Sequence, residues 1–321
     1  MEIPEWLADY NPRVPLEQLV EEVNKIFHSC DAAQYDQEHP EIHQQLPPIW
    51  AEMIAQLPPA GPWNVLDFGC GTGFEATLAL GAMGDRIAKL TAYDPSPEMM
   101  AICKIRLKEF PQAMFCSKIE EARCRGPFSL LLTNSLLHHL PNIGNVLQSL
   151  ATCLTPGAVW LAGHEPSARF FRNQACLRLL DGYRRYRKYA KWVEPGNYMT
   201  KLRMILGLHS LSTTANAAYK RGLFSKRPTP SVIDKIVDFH VAHSAGDGRG
   251  LDFEMMGTCL QRDWTLRWSK TYSFLGPFGC ASAPRRWAQK AHQLERQFPS
   301  DGANFCAVWQ RSQGSPGAPS I

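Results

Sequence analysis

The chain has 321 residues, 45% of them apolar and 20% charged, with a formal net charge of +4. That composition excludes a disordered or collagen-like chain and allows a large buried core, as one big domain or two small ones. So small a charge does not require a nucleic-acid partner and leaves room for an anionic small molecule.

The N-terminal MEIPEWLADYNPRVPLEQLVEEV has neither a basic start nor an apolar stretch, so no secretory leader is expected. No run of 18 apolar residues occurs, so no membrane span is expected either. Residues 1–59 read as a polar, helical N-terminal cover that ends at Pro58 and Pro59. NVLDFG (64–69) is then a short apolar run closed by glycine, which predicts a buried strand. FEATLALGAM (74–83) predicts a helix and KLTAYD (89–94) a second strand stopping at an acid. PEMMAICKIRLKEF (97–110) follows as a helix, and AMFCSK (113–118) and FSLLLTN (128–134) as the third and fourth strands. IGNVLQSLATCL (143–154) is helical, and Pro156-Gly157 turns the chain into a fifth strand, AVWLAGHE (158–165). Alternating strands and helices predict right-handed crossovers and a parallel sheet covered on both faces.

Beyond Glu165 the alternation breaks. Residues 166–261 read as a largely helical insertion between the fifth and sixth strands, able to act as a substrate lid. DWTLRWSKTYSF (263–274) and NFCAVWQR (304–311) read as closing strands. The fold class expected is therefore α/β, a Rossmann-like, seven-stranded, mostly parallel sheet with an N-terminal helical cover. Its core comprises residues 60–165 and 262–311, and the Pro/Gly-rich residues 312–321 read as a disordered tail.

The ten cysteines form no CxxC pair, which points to free thiols in a reducing, cytoplasmic setting. In HVAHSAGDGRGLD (240–252) two histidines precede an aspartate, but a glycine-rich loop is the simpler reading and no metal is expected. YRRYRKYAKW (183–192) places Tyr183, Tyr186 and Tyr189 along one helical stripe among Arg184, Arg185, Arg187, Lys188 and Lys191. The simplest reading is an amphipathic helix with a solvated basic face. A lid contacting an anionic group is the alternative, and nucleic acid is not an expected partner.

The most informative segment is VLDFGCGTG (65–73). Glycines at alternate positions after a buried strand let a ligand approach bare backbone. The following helix turns its N-terminal N–H groups toward that ligand. Asp94 ends the next strand 21 residues after Gly73, where doubly wound nucleotide-binding folds place a carboxylate on ribose hydroxyls.

VLDFGCGTG resembles the first motif of class I S-adenosylmethionine-dependent methyltransferases, and TAYDPSPEMM (91–100) resembles their second. FSLLLTNSLLHHLPN (128–142) is similar to the fourth-strand motif of the subgroup that includes quinone-biosynthesis methyltransferases. LTPGAVWLAGHEPS (154–167) is similar to their turn and fifth strand, with Ala158 in place of a second glycine.

The resemblance implies S-adenosylmethionine as cofactor. Asp67, Gly69, Gly71 and Gly73 would surround its methionine part, and Asp94 would hold the ribose with Pro95 or Ser96 beside it. Lys118 and Ile119 would flank adenine, although the family often has Asp-Ala there and Lys118 departs from it. Asn134 would lie near the transferable methyl, and Tyr35, in AQYDQEH (33–39), resembles a Tyr-Asp pair that covers the donor. His138, His139 and Glu165 are the candidate catalytic groups, the histidines as bases and Glu165 as an orienting acid. Strand alternation predicts that only one of His164 and Glu165 points into the pocket. The implied activity is methyl transfer to a C, O or N atom of a small-molecule acceptor. The alternatives are a non-methylating rearrangement or cyclisation by a donor-binding enzyme, and a degenerate binding or scaffold protein.

Overall fold

The computed structural model describes residues 3–59, 61–193, 210–242, 249–253, 256, 263–277 and 283–313. Its centre is a seven-stranded sheet of order β3-β2-β1-β4-β5-β7-β6. The strands are β1 (Trp63–Phe68), β2 (Ile87–Tyr93), β3 (Ala113–Cys116), β4 (Phe128–Asn134), β5 (Leu154–Pro166), β6 (Trp264–Tyr272) and β7 (Asn304–Arg311). β1 to β5 pair in parallel, and β7 is antiparallel to both of its neighbours. The chain order reverses between β1 and β4, which is where open α/β sheets leave a crevice at the strands' carboxyl ends.

The N-terminal helices are α1 (Glu5–Ala8), α2 (Leu16–Asp31), α3 (Tyr35–Glu38) and α4 (Pro40–Ile54). Between strands run α5 (Phe74–Met83), α6 (Pro97–Arg106), α7 (Ile119–Cys124) and α8 (Ile143–Ala151). The insertion supplies α9 (Ala168–Arg172), α10 (Gln174–Val193), α11 (Ser210–Lys220), α12 (Pro230–Val237) and α13 (Phe239–Ala242); α14 (Arg285–Gln297) precedes β7. Local sequence explains the boundaries. The Ser96 hydroxyl accepts the Met99 N–H at 3.2 Å and Pro97 opens α6, while Thr229 caps α12 through the Val232 N–H.

Both sheet faces are buried, as a parallel sheet requires. Val65, Leu90, Leu130 and Val159 pack against α4 and α5 through Trp50 and Leu80. Leu66, Leu131, Trp160 and Trp309 pack against α8 through Leu147 and Leu150. A third cluster joins the N-terminal cover to the insertion. Leu19, Val23 and Ile26 of α2 bury against Ala215 and Ala218 of α11 and against Ile233 and Ile236 of α12. The cover and the insertion, separate segments in the sequence, thus share one core.

β5 begins earlier than expected, because Pro156 and Gly157 (φ 75°) are absorbed as a register irregularity instead of preceding the strand. The aromatic stripe of α10 packs as read: Tyr183 is buried, and Tyr183 and Tyr186 lie against Trp287 of α14. Tyr189 departs from the stripe and is 74% exposed, while Arg184, Arg185 and Lys188 face solvent. The side chains of Lys191 and Trp192, all of His243 and Asp247, Cys259, Cys280 and residues 314–321 lie outside the described residues. Among the described residues, no helix is long and apolar enough to cross a membrane.

Candidate active site

At the carboxyl end of β1 the chain turns through Gly69, Gly71 and Gly73, all with left-handed φ (78°, 50° and 81°). Gly69 and Cys70 donate their N–H groups to the Tyr93 carbonyl, which ties the turn to β2. A Cβ at Gly71 would meet nothing within 4 Å, so that bare backbone faces open space. One at Gly73 would lie 2.8 Å from Cys103 Sγ, so this glycine serves close packing of α5 on α6.

Asp94 binds the turn from the next strand. Its Oδ2 accepts the Gly71 N–H at 3.0 Å and its Oδ1 the Ser96 N–H at 2.8 Å. Burial nevertheless pushes the Asp94 carboxyl up to about 6, against the pull of those two bonds. Beneath the turn Asp67 is fully buried, and neither of its carboxylate oxygens has a hydrogen-bond partner among the described residues. Burial, and then the charge of Asp94, push Asp67 well up. Glu75 on α5 is raised the same way by burial and by Asp67. Three buried acids beside an exposed stretch of backbone are costly unless a cation joins them.

A cavity of about 440 Å³ opens here. Gly71, Asp94, Pro95, Met99 and Ile119 line one part of it, and Asn134, Ser135 and Leu136 another. Asn134 is buried and its side-chain oxygen accepts from Trp50 Nε1 at 3.4 Å. Lys118 does not line the cavity: it is exposed at the start of α7, so of the expected adenine-flanking pair only Ile119 is in place.

The cover meets this cavity through contacts the sequence did not predict. Asp36 Oδ1 accepts the Thr72 hydroxyl at 2.9 Å, Arg106 Nη1 donates to the same hydroxyl at 2.9 Å, and Arg106 also pairs directly with Asp36. Burial would raise Asp36, but Arg106 and Thr72 outweigh it and hold its carboxyl below the usual range. Tyr35 stands beside this latch, its ring against His28 and His39.

A second cavity, about 340 Å³, shares His28, Tyr35, Ile42, Ser135 and His139 with the first. His39, His138, His164 and Asp238 also line it, with the exposed Arg187 at its edge. Burial first, then neighbouring imidazoles, lower His28 and His138 to about 3 and His139 well below its ordinary value. All three rings are therefore neutral near pH 7.

Glu165 corrects the expectation of an orienting acid at the pocket. It is fully buried and lines neither cavity. Its Oε1 accepts the Leu136 and Leu137 N–H groups at 2.8 Å each. Its Oε2 accepts the His138 N–H at 3.2 Å and bonds His138 Nδ1 at 2.8 Å. Burial raises this carboxyl to about 7 despite the three N–H bonds. The residue that does face a cavity is His164, held with φ 54° at an irregularity between Ala162 and Glu165 and bonded through Nδ1 to the Tyr272 hydroxyl at 2.6 Å. Asp238, at the end of α12, was missed because its partners come from β4's turn, 100 residues away in sequence.

The arrangement can bind a nucleoside-bearing cation beside a second, histidine-lined chamber. Comparison with known proteins gives the family. The profile of a methyltransferase domain matches residues 41–214, more than half of the chain. The trans-aconitate 2-methyltransferase of Methylobacterium nodulans is 35% identical over 132 residues, which cover 39% of this chain and 49% of that protein. The malonyl-[acyl-carrier protein] O-methyltransferase of Acetivibrio thermocellus is 30% identical over 96 residues, 30% of this chain and 33% of its own. The chain thus spans half or less of the length of these curated relatives. A solved S-adenosylmethionine dependent methyltransferase from Mesorhizobium loti aligns over 82% of this chain and 96% of its own, at 12% identity and a TM-score of 0.43.

Proposed function

The chain belongs to the methyltransferase-domain family, and we propose that it moves a methyl group from S-adenosylmethionine to an anionic small molecule seated in the histidine-lined cavity. The observation that carries this reading is the bare Gly71 backbone held by Asp94, both lining a cavity that shares a wall with a second one. The residues fit the donor. Glu75, which lines the cavity, and Asp67 behind it would ionise against the donor's ammonium and sulfonium groups, and Gly71 leaves room for the donor beside bare backbone. Asp94, with Pro95 and Ser96, would hold the ribose, and Ile119 would lie along the adenine. Tyr35 and Asn134 would close the region of the sulfonium. When bound, the donor supplies an already activated methyl group, so the protein's task is alignment and exclusion of water.

The chain's own residues can meet that task. The Asp36–Thr72–Arg106 latch ties α3 to the glycine turn and shuts one side of the cavity. His139 lies on the shared wall and His138 is fixed by Glu165; with Nδ1 of each turned to an acceptor, their Nε2 lone pairs can accept from an acceptor hydroxyl. Glu165 acts through the turn as a positioning residue. The relatives named for trans-aconitate and malonyl-[acyl-carrier protein] act on carboxylic acids, and Arg187 beside the second cavity suits such a group.

The test is incubation of the protein with the donor and a panel of mono-, di- and tricarboxylic acids, aryl and enolic acids. S-adenosylhomocysteine and the methylated product should appear together in equal amounts. Conversion of an acceptor without S-adenosylhomocysteine release would show a donor-binding enzyme of another class. Donor binding with no turnover across the panel would contradict the anionic acceptor.

A further inference from the structure

The floor of the second cavity holds a set of donor atoms that positioning of an acceptor does not by itself require. One nitrogen each from His138 and His139 and one carboxylate oxygen of Asp238 lie within 4.8 Å of one another. His138 Nε2 and His139 Nδ1 are each 3.8 Å from the same oxygen, Asp238 Oδ1. We infer that His138, His139 and Asp238 form a site for a divalent first-row transition-metal ion, whose open positions take an anionic oxygen of the acceptor.

Three observations support the assignment. Donors at about 2.0–2.1 Å from a tetrahedral ion stand roughly 3.4 Å apart, so the two 3.8 Å separations from Asp238 Oδ1 need to contract by about 0.4 Å. The partly exposed Asp238 side chain can supply that movement, its carboxyl being 23% exposed and bonded to no donor closer than the two rings among the described residues. Next, His138 has a built outer partner. Glu165, itself locked by three backbone N–H groups, holds the ring at Nδ1 and leaves the Nε2 lone pair toward Asp238. A buried carboxylate orienting a ligating imidazole is the usual support of a histidine metal ligand. Third, charge suits a cation. The set joins two ring nitrogens to one carboxylate, whose negative charge a bound cation would offset. His139 Nδ1 donates to the Val237 carbonyl at 2.6 Å, so coordination moves its proton to Nε2 and gives up that bond.

Two imidazoles and one carboxylate favour zinc, cobalt, iron or manganese over magnesium or calcium, which prefer oxygen donors. Three protein ligands leave positions for a substrate, and the cavity at that point is bounded by Arg187 and His39. The site therefore suits an acceptor with a carboxylate or enolate oxygen. That substrate class rests on the proposed function; the binding of the ion does not.

The experiment is calorimetric titration of tag-free, chelator-stripped full-length protein with Zn²⁺ and Co²⁺, and with Mg²⁺ for contrast. One Zn²⁺ or Co²⁺ ion per chain is expected, bound at least tenfold more weakly by Asp238→Asn and by His138→Asn, with Mg²⁺ much weaker. Thermal melts of each variant show whether it is folded, and the near-isosteric Asp238→Asn carries the test should His138→Asn unfold. The Co²⁺ complex should show the visible bands of a nitrogen- and oxygen-ligated ion. No binding to the wild type, full affinity in Asp238→Asn, or the intense near-ultraviolet bands of thiolate ligation would each overturn the assignment. Titration with S-adenosylhomocysteine, run separately, reports on the donor site, so failure of the metal site and failure of the methyltransferase reading are distinguishable.

Discussion

Gly71 and Gly73 share a left-handed conformation but answer to different neighbours, and substitution should separate them. A side chain at Gly71 enters open space, so Gly71→Ala is expected to lose about 1–2 kcal/mol of stability from backbone conformation while weakening donor binding much more. At Gly73 the added methyl meets Cys103 Sγ at 2.8 Å, so Gly73→Ala adds an overpacking penalty of roughly 1–3 kcal/mol to the backbone term. Thermal melts together with donor-product titration check this; equal melting temperatures for the two variants would contradict it. Alternate glycines and the spaced acid were legible because they are local, contiguous in sequence and tied to strand ends. Asp36, Thr72 and Arg106 were not, since their contacts cross 34 to 70 residues and involve no patterned spacing.

Glu165 shows how an element can overrule a residue-level reading. Simple alternation along β5 assigns His164 and Glu165 to opposite faces, one of them toward the pocket. The irregularity after Ala162 places His164 at positive φ, and Glu165 turns inward to collect the N–H groups of Leu136, Leu137 and His138. The carboxylate thereby fixes the turn that carries both histidines. Removing it leaves several buried donors unpaired, at about 1–3 kcal/mol each. Glu165→Ala should therefore lower stability by several kcal/mol in denaturant unfolding, and Glu165→Gln, which keeps an acceptor oxygen, should recover part of it. An Ala variant as stable as the wild type would mean the turn stands without this carboxylate. Irregularities of this kind have no signature in a sequence whose apolar run continues unbroken to Gly163.

Across the whole molecule, the mostly parallel sheet and most of its strands followed from periodicity, because a parallel sheet buried on both faces writes itself as apolar runs between amphipathic helices. The joining of α2 to α11 and α12 did not follow, because any two apolar helix faces are compatible until the fold brings them together. That shared core packs α2, α11 and α12 as one unit, with α2 contributing Glu21, Asn24 and His28 to the first cavity. Binding of S-adenosylhomocysteine should accordingly slow amide hydrogen exchange in α2, α11 and α12 together. Protection confined to the glycine turn would show that this unit and the cavity are uncoupled.

The most direct measurement is a calorimetric titration of S-adenosylhomocysteine into wild type and Asp94→Asn at pH 8 and pH 5. In the proposed role Asp94 accepts from ribose hydroxyls far more strongly when ionised, and with its carboxyl raised to about 6 it is charged at pH 8 and largely protonated at pH 5. The unliganded protein feels the opposite trend: a raised carboxyl favours folding while protonated, and that contribution is lost as pH rises through about 6. The ligand should bind the wild type one to one at pH 8 and roughly tenfold more weakly at pH 5. Asp94→Asn should bind about 10–100-fold more weakly at pH 8, as loss of hydrogen bonds to a charged group requires, and lose most of the pH dependence. Absence of binding to the wild type, or the same affinity in both proteins at pH 8, would contradict the account.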